Sequence, residues 1–477
     1  MPKDLRAFIE FLEERHPDEV IRIREPVDPV YELAGVRGRL EKAGRDSVVI
    51  FENVKGSRIP VVSNVHGSLL RLRLALGMPD KGDLAGLLRV YGEREGRPVE
   101  PRRIETGPVK EVILRGEDVD LGLLPICKYH EQDAGKYITA GLGVTRDPET
   151  GVNNVGIYRL MLQGRDRLGI LISQTSHAYG ICRYYEERNL PTPIAIVIGH
   201  HPGLFLGCMS FTPYDVDEFH VAGGILEEPV ELVACETVPL DVPAHAEIVL
   251  EGEILPHVRE EEAPFGEYPG TYGPKRMSPV MKVQCITMRK EPLYEDAFPA
   301  HPDHLLMAGV TRSTYILKTV KIASPTVQAV HMPTSGRCRF VCYVAIEKMI
   351  EGEAKNAAMA AFVADPFLKF VVVVDEDVDI YDMDAIDWAV TTRCNPKEQV
   401  HILPEAKTHR NNPIAGVRSL IPGDSVVKAK MITDATIPWK YKTIKQEGVP
   451  PLFMRARFQE TPLEEYLSSE DFKRWVD

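Results

Sequence analysis

The chain has 477 residues, and this length predicts roughly two or three domains rather than a single core. Hydrophobic residues make up 44% of it and charged residues 27%, which is typical of a folded chain and excludes a disordered one. The formal net charge of −13 argues against general binding to nucleic acid or to a membrane surface, because both require a basic face.

The sequence lacks targeting and cross-linking patterns. No apolar run reaches the roughly 18 residues that a membrane span requires, and the start, MPKDLRAFIEFLEERHPDE, is typical of an amphipathic helix rather than a signal peptide. The eight cysteines include no C-x-x-C pair, so we expect reduced, buried thiols and neither a disulfide framework nor a zinc ribbon. We therefore expect a cytoplasmic protein without a nucleic-acid or membrane partner.

Helical and extended patterns alternate in the N-terminal region. Apolar residues at helical spacing predict helices in LRAFIEFLEE and KGDLAGLLRVYGER. Period-two alternation predicts a strand in VIRIREPV, and a short apolar run predicts another in SVVIFENV. The stretch EREGRPVEPRR indicates a boundary near residue 100, so we predict an N-terminal α/β region at 1–105.

Strand patterns dominate the next region, 106–302. The run VGIYRLMLQGRDRLGILISQ predicts a hairpin around its Gly-Arg-Asp turn, and TPIAIVIGH, VELVACETV, AEIVLEGEIL and VMKVQCITMRK predict further strands. Helices are predicted in SHAYGICRYYEERN and DEFHVAGGILEE. These elements indicate an α+β domain with an antiparallel, barrel-like sheet.

The C-terminal part begins with a long predicted helix, HPDHLLMAGVTRSTYILKTV, which we treat as a linker at 303–322. RFVCYVAIE, EAKNAAMAAFVAD and KFVVVVDEDVDIYD then predict a strand, a helix and a strand covered on both faces. We assign an α/β domain to 323–445 and an amphipathic tail to 446–477.

The stretch EEEAPFGEYPG holds two carboxylates on a bent segment. Glu262 and Glu267 are five residues apart, and Pro264 and Gly266 prevent a helix between them. A solvated acidic turn explains this pattern. A functional pair explains it too, with one carboxylate ionised beside a cation and the other, in a drier place, supplying a proton.

Further polar residues interrupt apolar patterns upstream. Arg159 lies on an alternating strand, where it is either exposed on the hairpin or turned inward to bind a carboxylate with both arms of its guanidinium. Asn154, His177 and Glu231 form a set of hard ligands suited to Mn²⁺ or Mg²⁺, although a turn, a helix cap and a strand face explain them equally. His301 and His304 form a rival metal pair, but their position after a predicted turn is more typical of a helix start.

Several stretches, taken in order, closely resemble the UbiD-type decarboxylases, relatives of ferulic acid decarboxylase. They are NNVGIYR, SHAYG, EAPFGEYPG and WAVTTRCNP, with LPICKYHEQDAGKYITAG upstream and KMITDAT downstream, and the resemblance runs from about residue 105 to residue 440. The resemblance implies a split-barrel flavin-binding domain and a C-terminal α/β oligomerisation domain, hence a homodimer or homohexamer. It also implies a prenylated FMN cofactor supplied by a UbiX-type prenyltransferase, and non-oxidative release of CO₂ from a carboxylic acid.

The resemblance assigns roles to individual residues. Arg159 and Glu262 match the family's carboxylate-positioning pair, and Glu267 matches the residue that protonates the product carbon. Asn154, His177 and Glu231 match ligands of Mn²⁺, with K⁺ alongside near the cofactor phosphate. The whole cofactor-binding set that we predict is Asn154, Gly156, Ile157, Tyr158, Arg159, Ser176, His177, Met209, Glu231 and Lys430, with Lys428 as a neighbouring alternative to Lys430.

The sequence predicts a reversible decarboxylase of an aromatic, heteroaromatic or α,β-unsaturated acid, with an unsaturated acid of the isoprenoid pathway as an alternative. Met307, Ala308, Thr311 and Trp439 are candidates for the substrate pocket, and Arg312 suits a hydroxylated or dicarboxylic substrate. A glycosidase would leave Arg159 without a role. A flavin oxidoreductase on a split barrel remains an alternative, although no G-x-G-x-x-G follows a strand, and a scaffold protein would leave the two glutamates unexplained.

Overall fold

The structure, a computed structural model, describes residues 3–174, 176–409, 411–416, 427–442 and 453–456, together with residues 462, 465, 466 and 468. The tail predicted at 446–477 therefore lies almost wholly outside the described residues. Among the described helices, none combines the length and the apolar character needed to cross a membrane.

The N-terminal region contains four helices and three short strands. They are α1 (Leu5–Arg15), β1 (Val20–Ile23), α2 (Glu32–Lys42), β2 (Val48–Phe51), β3 (Val61–Ser63), α3 (Leu69–Ala75) and α4 (Leu84–Glu95). The predictions of α1, β1, β2 and α4 are confirmed. The pattern missed α2, because its two glycines and its charged residues leave only a narrow apolar stripe.

The central region contains thirteen strands and three helices. They are β4 (Arg102–Arg103), β5 (Val112–Arg115), β6 (Tyr137–Arg146), β7 (Asn153–Leu162), β8 (Arg167–Ile170), α5 (His177–Glu187), β9 (Thr192–Ile198), α6 (Pro202–Cys208), α7 (Glu218–Leu226), β10 (Glu231–Ala234), β11 (Asp241–Pro243), β12 (Ile248–Glu262), β13 (Phe265–Gly266), β14 (Tyr272–Gly273), β15 (Arg276–Met288) and β16 (Tyr294–Asp296). The last of them, β16, joins β1, β2 and β3 as the fourth strand of the N-terminal sheet.

Six strands of the central region close into a barrel. Their order is β12-β9-β6-β7-β8-β15, and pairing of β12 with β15 closes the ring, while β5 lies beside β15. Period-two alternation explains the two faces of the wall: Ile196 and Ile198 of β9 lie in one hydrophobic core, whereas Ala195 and Val197 lie in another. The predicted antiparallel, barrel-like sheet and its β7–β8 hairpin are confirmed.

Strand β12 is longer than its pattern predicts. The alternation in AEIVLEGEIL ends before Pro256, yet the strand resumes after a register shift between Ile254 and Arg259, where His257 has a φ of 59°. Such an irregularity bends a strand without ending it. As a result, Glu262 pairs with Arg276 at the end of a barrel strand and does not lie on a free turn.

The C-terminal part consists of a long helix and an α/β sheet. Its elements are α8 (Pro302–Ala323), β17 (Val327–His331), β18 (Val341–Ile346), α9 (Glu353–Ala364), β19 (Phe370–Asp375), α10 (Met383–Arg393), α11 (Pro396–Gln399), β20 (Val400–Lys407), α12 (Pro413–Gly416), β21 (Val427–Asp434) and α13 (Trp439–Lys442). The sheet order is β17-β18-β19-β21-β20, and the predicted parallel pair β18–β19 with α9 between its strands is confirmed.

Helix α8 connects the two larger parts of the molecule. Met307 and Val310, in its first half, are buried in a core of the N-terminal and central regions, whereas Ile316 and Val320 are buried in the core of the C-terminal sheet. The helix begins at Pro302, with the Asp303 N–H donating to the side chain of His301. The two histidines of HPDH therefore belong to a helix start.

Candidate active site

A cavity of about 930 Å³ lies between the barrel and the C-terminal part. Strand β7, the turn before α5, the segment between α6 and α7, helix α8 and loops of the C-terminal sheet all contribute to its lining. The predicted residues that line it are Asn154, Gly156, Ile157, Tyr158, Ser176, His177, Met209, Ala308, Thr311 and Arg312.

The structure brings Arg159, Glu262 and Glu267 together beside this cavity. Arg159 donates from Nε and Nη2 to the two oxygens of Glu262, each at 2.9 Å, and from Nη1 to Oε1 of Glu267. The bonds to Glu262 form a two-armed guanidinium–carboxylate pair, the most strongly oriented contact available to an arginine. Arg276, which lines the cavity, lies 3.8 Å from Glu262 and connects the three residues to the cavity wall.

Local structure explains how these groups meet. Arg159 comes from the buried strand β7, and Phe265, between the two glutamates, places its ring 4.8 Å from the guanidinium carbon. Ala263 adopts a positive φ of 73°, a conformation that non-glycine residues rarely adopt. This bend turns the chain directly after β12, so that Glu262 and Glu267 both face the same guanidinium.

The electrostatics of the three residues favour a permanent cation at Arg159. Burial opposes its charge, but Glu267 and Glu262 outweigh burial and raise the pKa of Arg159 above its ordinary value. The Glu262 side chain is fully buried, and those of Arg159 and Glu267 are 9% and 8% exposed. Arg159 therefore stays charged, and its Nε, Nη1 and Nη2 all donate to the two glutamates.

A second group of polar side chains begins on the same strand. Asn154 precedes Arg159 by five residues, roughly 17 Å of strand. Its Nδ2 donates to Glu218 at 3.1 Å, while its Oδ1 is buried and has no hydrogen-bond partner. His177, at the start of α5, lines the same cavity, and burial lowers its pKa, which favours the neutral ring that a metal ion needs.

The structure places Glu231 away from the cavity. This residue lies on β10, outside the cavity lining, where its carboxylate binds Arg102 and lies 2.6 Å from Nε2 of His245. Glu218, thirteen residues earlier, lines the cavity instead and accepts from the Val155 N–H at 2.9 Å. Arg102 and His245 thus engage both carboxylate oxygens of Glu231 outside the cavity lining.

Burial makes Glu218 an unusual carboxyl group. Desolvation raises its pKa to about 7, even though the N–H of Val155 and the hydroxyl of Thr212 donate to it. A cation bound between Glu218 and Oδ1 of Asn154 would stabilise the buried negative charge of Glu218. It would also give the Asn154 oxygen a partner. Within the described residues, no three His, Cys, Asp or Glu side chains are grouped to bind a metal, so a metal here requires the Asn154 amide oxygen.

The remaining predicted residues lie at different distances from the cavity. Lys430 is buried behind the lining residue Pro366, whose carbonyl accepts from its Nζ at 3.3 Å, and burial lowers its pKa to about 8. Lys428, its alternative, is only half-buried. Met307 belongs to the core, and Trp439, whose N–H donates to Glu351, is absent from the described lining.

The sequence interpretation missed residues that the fold brings to the cavity. Glu218 had one signal, since it is an acid on the otherwise apolar helix pattern DEFHVAGGILEE. Arg276, Arg339 and His409 had none, because they come from distant parts of the chain and carry no local motif.

Comparisons with known proteins identify the family of the chain. Three UbiD domains match the chain: the 3-octaprenyl-4-hydroxybenzoate carboxy-lyase N-terminal domain over residues 9–90, its Rift-related domain over 102–302 and its C-terminal domain over 305–435. An anhydromevalonate phosphate decarboxylase of Methanothermobacter thermautotrophicus is 37% identical over 425 residues, which are 88% of this chain and 95% of that protein.

Solved structures show the same likeness over nearly the whole length. The UbiD-class enzyme HmfF from Pelotomaculum thermopropionicum, in complex with FMN, has a TM-score of 0.86 and 40% identity, covering 98% of this chain and 100% of that one. An evolved dimeric form of HmfF, in complex with prenylated FMN, has a TM-score of 0.84 and 38% identity, covering 99% and 100%. The three matched domains and these relatives show that the chain belongs to the UbiD family and is a decarboxylase of the carboxy-lyase class.

Proposed function

We propose that this decarboxylase uses prenylated FMN to remove CO₂, reversibly and without net oxidation, from an aromatic, heteroaromatic or α,β-unsaturated carboxylic acid. The observation that supports this most strongly is Arg159, held by Glu262 and Glu267 at the flank of a cavity large enough for a flavin and a small acid. The HmfF structures, with FMN and with prenylated FMN, support the choice of cofactor.

Residues at the Asn154 end of the cavity fit the phosphate end of such a cofactor. Asn154, His177 and Glu218 would hold a Mn²⁺ ion, with K⁺ nearby, and the metal would offset the phosphate charge in a chain that is itself acidic. The stretch of β7 between Asn154 and Arg159 is comparable with the length of a flavin mononucleotide. We therefore place the phosphate beside Asn154 and the flavin ring toward Arg159. A UbiX-type prenyltransferase would supply the cofactor.

When bound, the prenylated flavin would supply the electron sink that decarboxylation requires. The protein's own residues then orient and protonate. Arg159, oriented by Glu262, binds the substrate carboxylate, and Glu267 delivers the proton to the carbon that has lost CO₂. Glu267 suits this role better than Glu262, because Glu262 uses both oxygens on Arg159 and Glu267 uses one.

The far wall of the cavity suggests a second polar group on the substrate. Arg312, Arg339 and His409 line it, and we call the two arginines the basic wall, because burial lowers the pKa of His409 to about 3 and leaves its ring neutral. Arg312 binds Asp365 at 2.5 Å. Burial, followed by the charge of Arg312, lowers the pKa of Arg339 to about 10, so two guanidinium groups lie close enough to repel each other at this wall. We propose that an anionic substituent of the substrate, a second carboxylate or a phosphate, binds here.

A second candidate substrate follows from one of the relatives. The Methanothermobacter relative is named for a substrate with a phosphate group, and the basic wall would accommodate a phosphate as readily as a carboxylate. An unsaturated, phosphorylated acid of the isoprenoid pathway therefore stands beside the aromatic and heteroaromatic acids.

One substrate screen separates these candidates. The protein is produced together with a UbiX-type enzyme, its flavin is recorded spectroscopically, and CO₂ release is measured with monocarboxylic, dicarboxylic and phosphorylated unsaturated acids. We expect turnover with an acid that has a second anionic group, and slower turnover with its singly charged analogue. A folded protein that binds no flavin under these conditions would contradict the proposed function, and equal turnover of both analogues would contradict the role of the basic wall.

A further inference from the structure

The segment 130–137, HEQDAGKY, packs along the loop that carries the two glutamates. The Asp133 carboxylate accepts from the Gly266 N–H at 2.8 Å. The Ala134 N–H donates to the Pro264 carbonyl at 2.8 Å, and the Ala263 N–H donates to the Tyr137 hydroxyl at 3.2 Å. The Tyr137 hydroxyl also donates to the Pro264 carbonyl at 3.4 Å. Four hydrogen bonds thus hold the short loop 263–266 between Glu262 and Glu267, and we call 130–137 the brace segment.

Asp133 is the most fully buried charge in this contact. It is only 3% exposed, and its second oxygen accepts from the His130 N–H at 2.8 Å. Two backbone N–H groups that donate to one buried carboxylate fix its orientation. The carboxylate in turn holds the two backbone segments in place. Asp133 therefore joins the brace segment to the loop through one rigid side chain.

The loop needs external support because its own conformation is unfavourable. Ala263 has a φ of 73° and is fully buried, and a non-glycine residue keeps such a backbone conformation only where its surroundings impose it. At Gly266, the His130 ring occupies the space that a Cβ would take. The bracing contacts come from the brace segment, which ends at Tyr137, the first residue of β6. Among the described contacts, none within the loop replaces the bond that Gly266 makes to Asp133.

We propose that Asp133 is a positioning residue for the decarboxylation, because its carboxylate fixes the distance and direction of Glu267 relative to Arg159. Glu267 follows Gly266 directly, so a shift of the Gly266 backbone moves the Glu267 side chain by a similar amount. Asp133 acts through Gly266 and is not among the residues that line the cavity. The role in turnover rests on the proposed function, whereas the bracing of the loop does not.

The first arm of the test uses the protein without cofactor. Hydrogen–deuterium exchange of a peptide covering 263–270 is compared in the native protein, in Asp133→Ala and in Asp4→Ala. Asp4 is a matched control, since it is a buried aspartate whose carboxylate accepts from the Ala7 N–H at 2.8 Å, far along the chain from the loop. We expect faster exchange of the loop peptide in Asp133→Ala alone. Unchanged protection in that variant would overturn the proposal, even if the protein proves to decarboxylate nothing.

The second arm uses the loaded enzyme. Misplacing a proton donor by about 1 Å costs on the order of 10²-fold in rate, so kcat should fall about 10- to 100-fold in Asp133→Ala while KM and flavin content change little. Asp133→Asn should lie between, because the amide keeps one acceptor for Gly266 but not the second for His130. Native kcat in Asp133→Ala, or an equal loss of kcat in Asp4→Ala, would show that Asp133 does not position the loop.

Discussion

Replacing Glu262 by Gln removes one of the two carboxylates that neutralise the buried guanidinium of Arg159. The amide keeps one acceptor oxygen but presents an NH₂ group to an N–H donor, so at least one of the two 2.9 Å bonds is lost. A hydrogen bond to a charged group contributes about 1.5–3 kcal/mol, and breaking a buried pair costs about 3–5 kcal/mol. Since Glu267 remains, we expect Glu262→Gln to lower the free energy of unfolding by about 2–4 kcal/mol.

The matched control for this substitution is Glu261→Gln on the same strand. Glu261 pairs with Lys275 at 2.8 Å, but the two side chains are 61% and 64% exposed, so the pair contributes less than about 1 kcal/mol. Urea unfolding of the cofactor-free proteins is followed by circular dichroism at one pH. Because the chain has several domains, the same unfolding transition is compared in each protein. Equal losses in Glu262→Gln and Glu261→Gln would refute the view that Glu262 holds Arg159.

Three further outcomes are expected. Glu218→Ala should lose bound Mn²⁺, measured by elemental analysis after purification, whereas Glu231→Ala should keep it, and equal metal content would contradict the proposal that Glu218 rather than Glu231 binds the metal. Arg312→Ala should raise KM about 10- to 100-fold for an acid with a second anionic group and leave KM for the singly charged analogue unchanged, so an equal rise for both would argue against the basic wall. Burial raises the pKa of Glu295 from its ordinary value of 4.5 to about 7. The folded state thus holds this proton more tightly than the unfolded state, and the resulting stability is full at low pH and is lost as pH rises through about 7. The native protein should therefore lose Tm relative to Glu295→Gln between about pH 5 and about pH 8, and a Tm difference that stays constant over this range would contradict the buried proton.

Local periodicity was sufficient for many elements of the fold. The β7–β8 hairpin and the β18–α9–β19 unit were predictable because their partners are adjacent in the chain and their apolar spacing is regular. Strand β12 was predicted too short, since its register shift near His257 interrupts the alternation without ending the pairing. A pattern shows where alternation stops, but only the neighbouring strand β15 shows that pairing continues.

The candidate site divides in the same way. Arg159, Glu262 and Glu267 could be grouped from the sequence because they stand on recognisable stretches, and the structure brings them together. Glu218 begins the helix that Glu231 follows, and the one signal for Glu218, an acid on that helix pattern, does not by itself favour it over Glu231. The choice depends on partners from elsewhere in the chain, since Arg102 satisfies Glu231 while Val155 and Asn154 hold Glu218 at the cavity.

The central claim is that Glu267 protonates the carbon from which CO₂ departs, in a reaction supported by prenylated FMN. Decarboxylation in D₂O by the loaded enzyme tests this most directly, with deuterium at the product carbon measured over time. We expect native protein to incorporate deuterium at that carbon. Glu260→Gln, whose side chain pairs with Arg167 on the outside of the barrel, is the control and should do the same. In folded, flavin-loaded Glu267→Gln, the rate of deuterium incorporation should be lower by about 10²–10⁴-fold. Incorporation at the native rate in Glu267→Gln would contradict the assignment.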